Sequence, residues 1–337
     1  MDVHFNKRQF EDGVIDFHRF VLLFTHSFTP KIRFVGELEL EHAFVEGLED
    51  AGELELEQAY LDFLISRRFN VRAGMVLVPV GIINERHEPP VYHGVERPLV
   101  DTVIIPTTWF ETGAGVHGEF TGGWRYRAYV LAPLDAAEFS AEEGIRGGRQ
   151  KGSRASAPSA ALTGRLEYLG RPGLTIGAST WIGRGHVFTT PLETGVRVME
   201  ADVRYQRDRL ELRGQAAHVA IPNAGAINQS LTQQSGVDPN IARGLVGAYA
   251  EAAYRIVAAG SPRDLVAFAR YEYVDTQHRM PDGWLPLTQF EQDVVTAGIT
   301  YFPDPDVAVK ADYTFLRRRN DVIRGPSSFN LGLGWWF

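Results

Sequence analysis

Ten histidines lie scattered among 42 acidic and 34 basic side chains in 337 residues, ample material for a metal site or an acid–base pair. Neither a Gly-x-Ser-x-Gly elbow nor a His-Glu-x-x-His pair occurs. His87 and His93, with Glu85, Glu88 and Glu96 nearby, could reach a metal, but their spacing matches no zinc motif, so neither metal nor cofactor is expected. Isolated histidines at alternating positions, such as His42, His117 and His218, suit a polar wall better than a catalytic centre. The pattern that does recur is charge on every second residue. Arg33, Glu37, Glu39 and Glu41 oppose Ile32, Phe34, Leu38, Leu40 and Phe44. Lys310 and Asp312 oppose Val307, Val309, Ala311, Tyr313 and Phe315. Arg72, Arg125, Arg127, Arg165, Glu167, Arg204, Arg213, Arg270 and Glu272 fit the same scheme. Such rows make and break no bonds, but they set the local field felt by passing ions.

A period of two sends successive side chains to opposite faces of a strand. Period-two segments run approximately over 14–28, 31–45, 53–65, 70–80, 109–120, 124–133, 159–169, 173–184, 194–207, 209–220, 244–258, 264–275, 290–302, 307–317 and 327–337. In 53–65 the phase slips, and a bulge near Glu57–Ala59 would restore it. The last segment places Phe329, Leu331, Leu333, Trp335 and Phe337 on one face. An arginine or lysine facing lipid at mid-membrane costs about 2–4 kcal/mol, so the charged faces must meet water. If the apolar faces meet lipid, the chain is all-β: a transmembrane, up-and-down antiparallel β-barrel.

Connection lengths favour the barrel over a sandwich. Breakers such as Thr29-Pro30, Ser66–Phe69, Gly122-Gly123, Gly170-Arg171-Pro172, Asp208, Gly260–Pro262 and Pro303–Asp306 mark short turns. They alternate with longer stretches at 46–52, 81–108, 134–158, 185–193, 221–243, 276–289 and 318–326. Short periplasmic turns and long external loops are the rule for outer-membrane barrels. Greek-key crossings have no reason to sort loops in this way. Fifteen segments would leave two parallel strands at the seam. An upward strand is therefore expected before residue 11, with Val3, Phe5 and Lys7 alternating and Glu11–Gly13 as its turn. That makes 16 strands, with 14 or 18 as alternatives, in one domain over 1–337.

Composition is compatible with this. Hydrophobic residues make up 44% and no cysteine occurs. A net charge of −8 without a basic tract argues against nucleic acid as partner. No basic n-region or apolar h-region opens the sequence; for an exported chain this implies numbering from a mature or trimmed N-terminus. Segment 81–108 is too long for an idle connection. Asn84, Glu85, Arg86, His87, Glu88, His93, Glu96 and Arg97 are its candidates for a constriction.

Residues 70–88 (NVRAGMVLVPVGIINERHE) resemble the strand and Pro-x-Gly exit of phosphate-selective-type porins. Gly36–Glu39, Arg270–Glu272 and Val309–Tyr313 look like other strands of that family. Over 14–337 the resemblance implies a 16-stranded barrel, usually a homotrimer, with a loop tucked into the pore. Terminal Phe337 likewise resembles the insertion signal of bacterial outer-membrane barrels. Members that concentrate phosphate carry an arginine ladder and a lysine cluster. Here Lys7, Lys31, Lys151 and Lys310 are the only lysines, and acids interleave the arginines, so phosphate selectivity is not implied.

The expected function is a porin in a Gram-negative-type envelope, integral to the outer membrane. It would be an ion-transport channel passing small hydrophilic solutes or ions through a wet, mixed-charge pore. Its partners would be membrane lipids and lipopolysaccharide. The alternatives are a plugged, anchoring barrel and a hydrolase with its site at the rim. The basic loop 142–159 is expected to be solvated, with lipopolysaccharide as a second possibility. Gly332, Gly334 and Ala248–Ala253 suit close packing between barrels or against lipid.

Overall fold

Alternation of side chains dictates strands, and the strands close on themselves. A computed structural model describes residues 1–43, 52–257, 264–319 and 325–336. Sixteen long strands form one closed antiparallel barrel. They are β1 Asp2–Arg8, β2 Gly13–Thr29, β3 Ile32–Glu41, β4 Leu54–Phe63, β5 Asn70–Leu77, β6 Phe110–Phe120, β7 Trp124–Leu131 and β8 Ala161–Arg171. Then follow β9 Leu174–His186, β10 Glu193–Arg207, β11 Leu210–Ala220, β12 Gly244–Arg255, β13 Asp264–Arg279, β14 Glu291–Asp304, β15 Val307–Arg318 and β16 Ser328–Trp335. A two-residue parallel stub, Leu134–Asp135, leans on Gly185–His186. Helix α1, Ala224–Ser235, lies in an external loop. No described helix is long and apolar enough to cross a membrane.

Closure occurs where strand parity required it. β1 pairs with β16 from Asp2↔Gly334 to Arg8↔Ser328. The barrel therefore has no free edge at this seam, and its backbone groups are satisfied without water. The first turn falls at 9–12 rather than Glu11–Gly13. The expected bulge is present: Glu37 pairs with Gln58 and Leu38 with Leu56, leaving Glu57 over. Asp208 makes its point turn with a left-handed φ of 53°.

The lipid-side pattern is clearest in β16. Phe329, Leu331 and Leu333 stay exposed, while Asn330 is buried beside Asp312. Several boundaries move. The connection expected at 81–108 spans 78–109, and β13 continues to Arg279 instead of ending at 275. Phe44, Gly260–Pro262 and Phe337 lie outside the described residues.

Candidate pore wall and inner loop

The charged rows point inward and neutralise one another. Asp62 accepts from Arg33 at 3.0 Å and Arg72 at 2.8 Å, with His117 at 3.2 Å. Glu119 accepts from Arg125 at 3.1 Å. Glu167 takes Arg127 at 2.6 Å and Arg204 at 3.0 Å. Arg165 bridges Glu200 at 3.1 Å and Asp202 at 2.5 Å. Arg270 reaches Glu272 at 2.8 Å and Glu251 at 3.3 Å. Glu37 accepts from Gln58, and Glu39 faces Arg19 at 3.8 Å. Burying a charge is tolerable only with such partners. Arg19 and Glu200 escaped the sequence argument. Glu200 had a signal, because it stands two residues before Asp202 on the same face; Arg19 is hidden among the aromatic residues of β2.

Residues 78–109 fold into the lumen and touch the wall on all sides. Lys310 donates its ammonium to three loop carbonyls, those of Pro89 at 2.6 Å, Tyr92 at 2.7 Å and Gly94 at 2.8 Å. Asp312 accepts from Val95 N at 2.6 Å, and Thr300 donates to His93 O at 2.8 Å. Arg213 donates to Val91 O at 2.9 Å, and Glu272 accepts from Val100 N at 3.2 Å. These contacts join backbone of one segment to side chains of strands far away in sequence.

The expected constriction residues divide by task. Asn84 is fully buried and faces no channel: it donates to Val78 O at 2.7 Å and Trp109 O at 2.8 Å, and accepts from Trp109 N at 2.6 Å. It clasps the two ends of the loop. His87 is buried against Glu57 at 2.9 Å, with half-buried Glu88 at 4.0 Å. Burial alone would depress the His87 pKa, but the Glu57 carboxylate overrides it and raises the ring to about 9. His93 instead meets Glu211 at 3.2 Å, so the two histidines do not converge on one metal. Glu85 meets Arg127 at 3.1 Å, and Arg97 donates to Thr108 Oγ1 at 3.1 Å. Arg86 is exposed. Glu96 meets His4 at 3.1 Å and Asn6 at 2.9 Å. Glu96 is half exposed at the cavity, and these partners outweigh its partial desolvation and hold the carboxyl at about 2. Buried Asp101, 2.9 Å from Gln215, is pushed up to about 7 by burial.

Three expectations need correction. The lumen is not wet throughout: Trp181, Val196, Val198, Val219 and Leu245 are buried and form a cluster with loop residues Val80, Ile104, Ile105 and Trp109. The basic loop is not simply solvated. Arg146 donates to Thr102 O and Thr107 O, Arg149 to Pro106 O and Thr108 O, and Lys151 pairs with Glu55. Gly332 and Gly334 face inward rather than toward a neighbouring barrel. A Cβ on Gly332 would lie 3.2 Å from Val95, and one on Gly334 2.8 Å from Pro89. Bare backbone there gives the loop its room.

Cavities remain on either side of the loop. The largest, about 1000 Å³, is lined by Arg19, Glu41, Glu57, Arg97, Arg270 and Glu272 among others. A second, about 400 Å³, lies against Arg86, Arg204 and Arg213, and a third, about 390 Å³, against Arg72, Glu85, Arg125 and Arg127.

No family model matches the chain. A protein of Aquifex aeolicus (strain VF5), described as uncharacterized, is 37% identical over 322 residues, 93% of this chain and 74% of that protein. Among solved structures, the outer membrane channel DcaP of Acinetobacter baumannii superposes with a TM-score of 0.65 at 11% identity, covering 100% of this chain and 95% of that one. Salmonella typhi OmpF, solved with daunomycin, gives 0.62 at 11% identity, covering 100% and 95%. An anion-selective porin from Comamonas acidovorans gives 0.59 at 10% identity, covering 99% and 95%. At these identities the likeness is one of fold.

Proposed function

Because the chain belongs to one family with the Aquifex aeolicus protein and has the barrel fold of outer-membrane porins, we propose that it is a passive diffusion channel. It sits in the outer membrane and passes small hydrophilic solutes or ions. The observation that carries this reading is a closed barrel whose inner wall is charged and whose inner loop leaves cavities on both sides. Charge of both signs is paired along the wall, which favours weak ion preference over a single-sign filter. Residues 78–109 form the constriction, with Arg86 and Arg97 its least enclosed cations. Phosphate is not the solute we favour: Lys310 is committed to three loop carbonyls, and no lysine cluster exists in the sequence. No bond chemistry is assigned. Three barrels forming a homotrimer, with lipid and lipopolysaccharide around them, complete the reading.

A plugged, anchoring barrel is the second reading, favoured by the many pins on the inner loop. Purified protein in planar bilayers separates the two. Discrete conductance steps, with a reversal potential in a salt gradient giving the ion preference, support the channel. A folded barrel without steps removes it and leaves the anchor.

A further inference from the structure

At the external end of the lumen, β1, β2 and β3 bring together a group of side chains that the barrel's charge pairing does not require. Asp16 and His18 share a face of β2, two residues apart, and His4 of β1 sits in register with Asp16. His42 follows the last residue of β3, and its backbone N–H donates to His18 O at 3.0 Å, which fixes its position. One carboxylate oxygen of Asp16 stands between two imidazoles. It lies 3.1 Å from His18 Nδ1 and 2.8 Å from His42 Nδ1. The His18 and His42 rings meet edge to face at 5.3 Å.

From this geometry we propose that Asp16, His18 and His42 form a binding site for a divalent transition cation of the Zn²⁺ class at the outer mouth of the barrel. One carboxylate and two neutral imidazoles are a fitting donor set for such an ion, with bonds of about 2.0–2.2 Å. Tetrahedral geometry at those lengths sets neighbouring donors roughly 3.3 Å apart. The three donor atoms lie within 4.8 Å of one another, so small side-chain movements complete the site. Each neutral ring then carries its single proton on Nε2 and turns the Nδ1 lone pair to the ion, while a ring protonated on both nitrogens first releases its Nδ1 proton to solvent.

The surroundings support the assignment. The site opens onto the cavity of about 1000 Å³, and the side chains of Asp16, His18 and His42 are 26%, 23% and 51% exposed, so an ion can enter and leave. His4 is not a ligand: Asp2 and Glu96 occupy its two ring nitrogens, at 2.5 and 3.1 Å. It stacks on His18 at 4.7 Å and holds that ring in place. The long contact from Arg19 to His18 Nε2, 3.4 Å, is given up on binding, and Arg19 keeps Glu39. The fourth coordination position faces the cavity and takes water. A second His–carboxylate group, Glu37, Glu57 and His87, is buried beneath the inner loop and lacks such access.

The test uses the folded barrel in detergent, with Zn²⁺ measured by equilibrium dialysis and Co²⁺ by its visible spectrum. One Zn²⁺ per chain and a tetrahedral Co²⁺ spectrum that Zn²⁺ abolishes are expected. Asp16→Asn and His42→Ala should each weaken binding by at least about 100-fold, more than loss of an outer-shell partner costs, while Glu57→Gln leaves it unchanged. Heat-modifiable migration on gels confirms that each variant is folded. On the unaltered protein, Zn²⁺ should protect His42 from diethyl pyrocarbonate, which needs no variant. Absence of Zn²⁺ binding, binding that survives both mouth substitutions, or binding lost only in Glu57→Gln overturns the proposal. None of these readouts depends on solute flow, so the channel reading stands or falls separately.

Discussion

β9–β12 present Trp181, Val196, Val198, Val219 and Leu245 to the inner loop, whereas β14–β16 present Thr300, Lys310, Asp312 and the bare backbone of Gly332 and Gly334. Both walls hold the same segment. The first does so mainly by excluding water, with Arg213 and Gln215 of β11 adding bonds to Val91 and Asp101: Trp181 packs on Trp109 with ring centroids 5.6 Å apart. That force scales with area and has no direction, so it sets how deep the loop sits. The second wall works through hydrogen bonds aimed at particular carbonyls and N–H groups, which set the loop's register. A loop held by one wall alone would slide or lift. Held by both, it is a fixed part of the lumen.

The largest effect should come from the dry wall. Trp181→Ala removes a fully buried indole and should cost about 3–5 kcal/mol, as large-to-small core changes do. Urea unfolding and protease cleavage within 78–109 would report it, and noisier, larger single-channel currents should accompany it. Lys310→Met comes next. It leaves three buried carbonyls without a donor and should cost on the order of 3 kcal/mol. Its signature is a loop that shifts rather than lifts, seen as higher conductance with little added proteolysis. If both variants gave the same mixture of cleavage and conductance change, the distinction between depth and register would fail.

The smallest effect is a pH dependence away from both walls, where His87 of the loop meets Glu57 of β4. His87 is raised to about 9 when folded, above its unfolded value of 6.5. Its contribution is therefore complete below pH 6.5 and disappears as pH rises through 9. Amide exchange in the loop should accelerate above pH 9, and His87→Gln should flatten that profile. An unchanged profile in His87→Gln would place the sensitivity elsewhere.

Much of the barrel could be read from alternation alone. The charged face of Lys310 and Asp312, the bulge at Glu57 and the pairing of the chain's two ends all follow from local pattern and strand parity. The dry wall could not be read in this way. In β10, Val196 and Val198 point in while Arg197 and Met199 point out, so the usual clue of charge inside and hydrophobic residues outside is reversed near the external end. A two-residue period reports alternation but not which side is lipid. Arg146 and Arg149 were also illegible. Their partners are backbone carbonyls of residues 102–108, which have no signature in composition. The loop's own residues were found, but Asn84 and His87 serve as fasteners within the loop and to the wall, a distinction that only distances reveal.

The register contacts also impose an order on assembly. The inner loop is synthesised in the first third of the chain, yet Lys310, Asp312, Gly332 and Gly334 emerge near its end. The bond from Lys310 to Pro89 joins residues 221 positions apart. The loop thus has no complete seat until the last hairpin is made. A seated loop is a certificate of a finished barrel: a chain that stops before its final strands lacks the partners of residues 89–95 and leaves that stretch open to added protease.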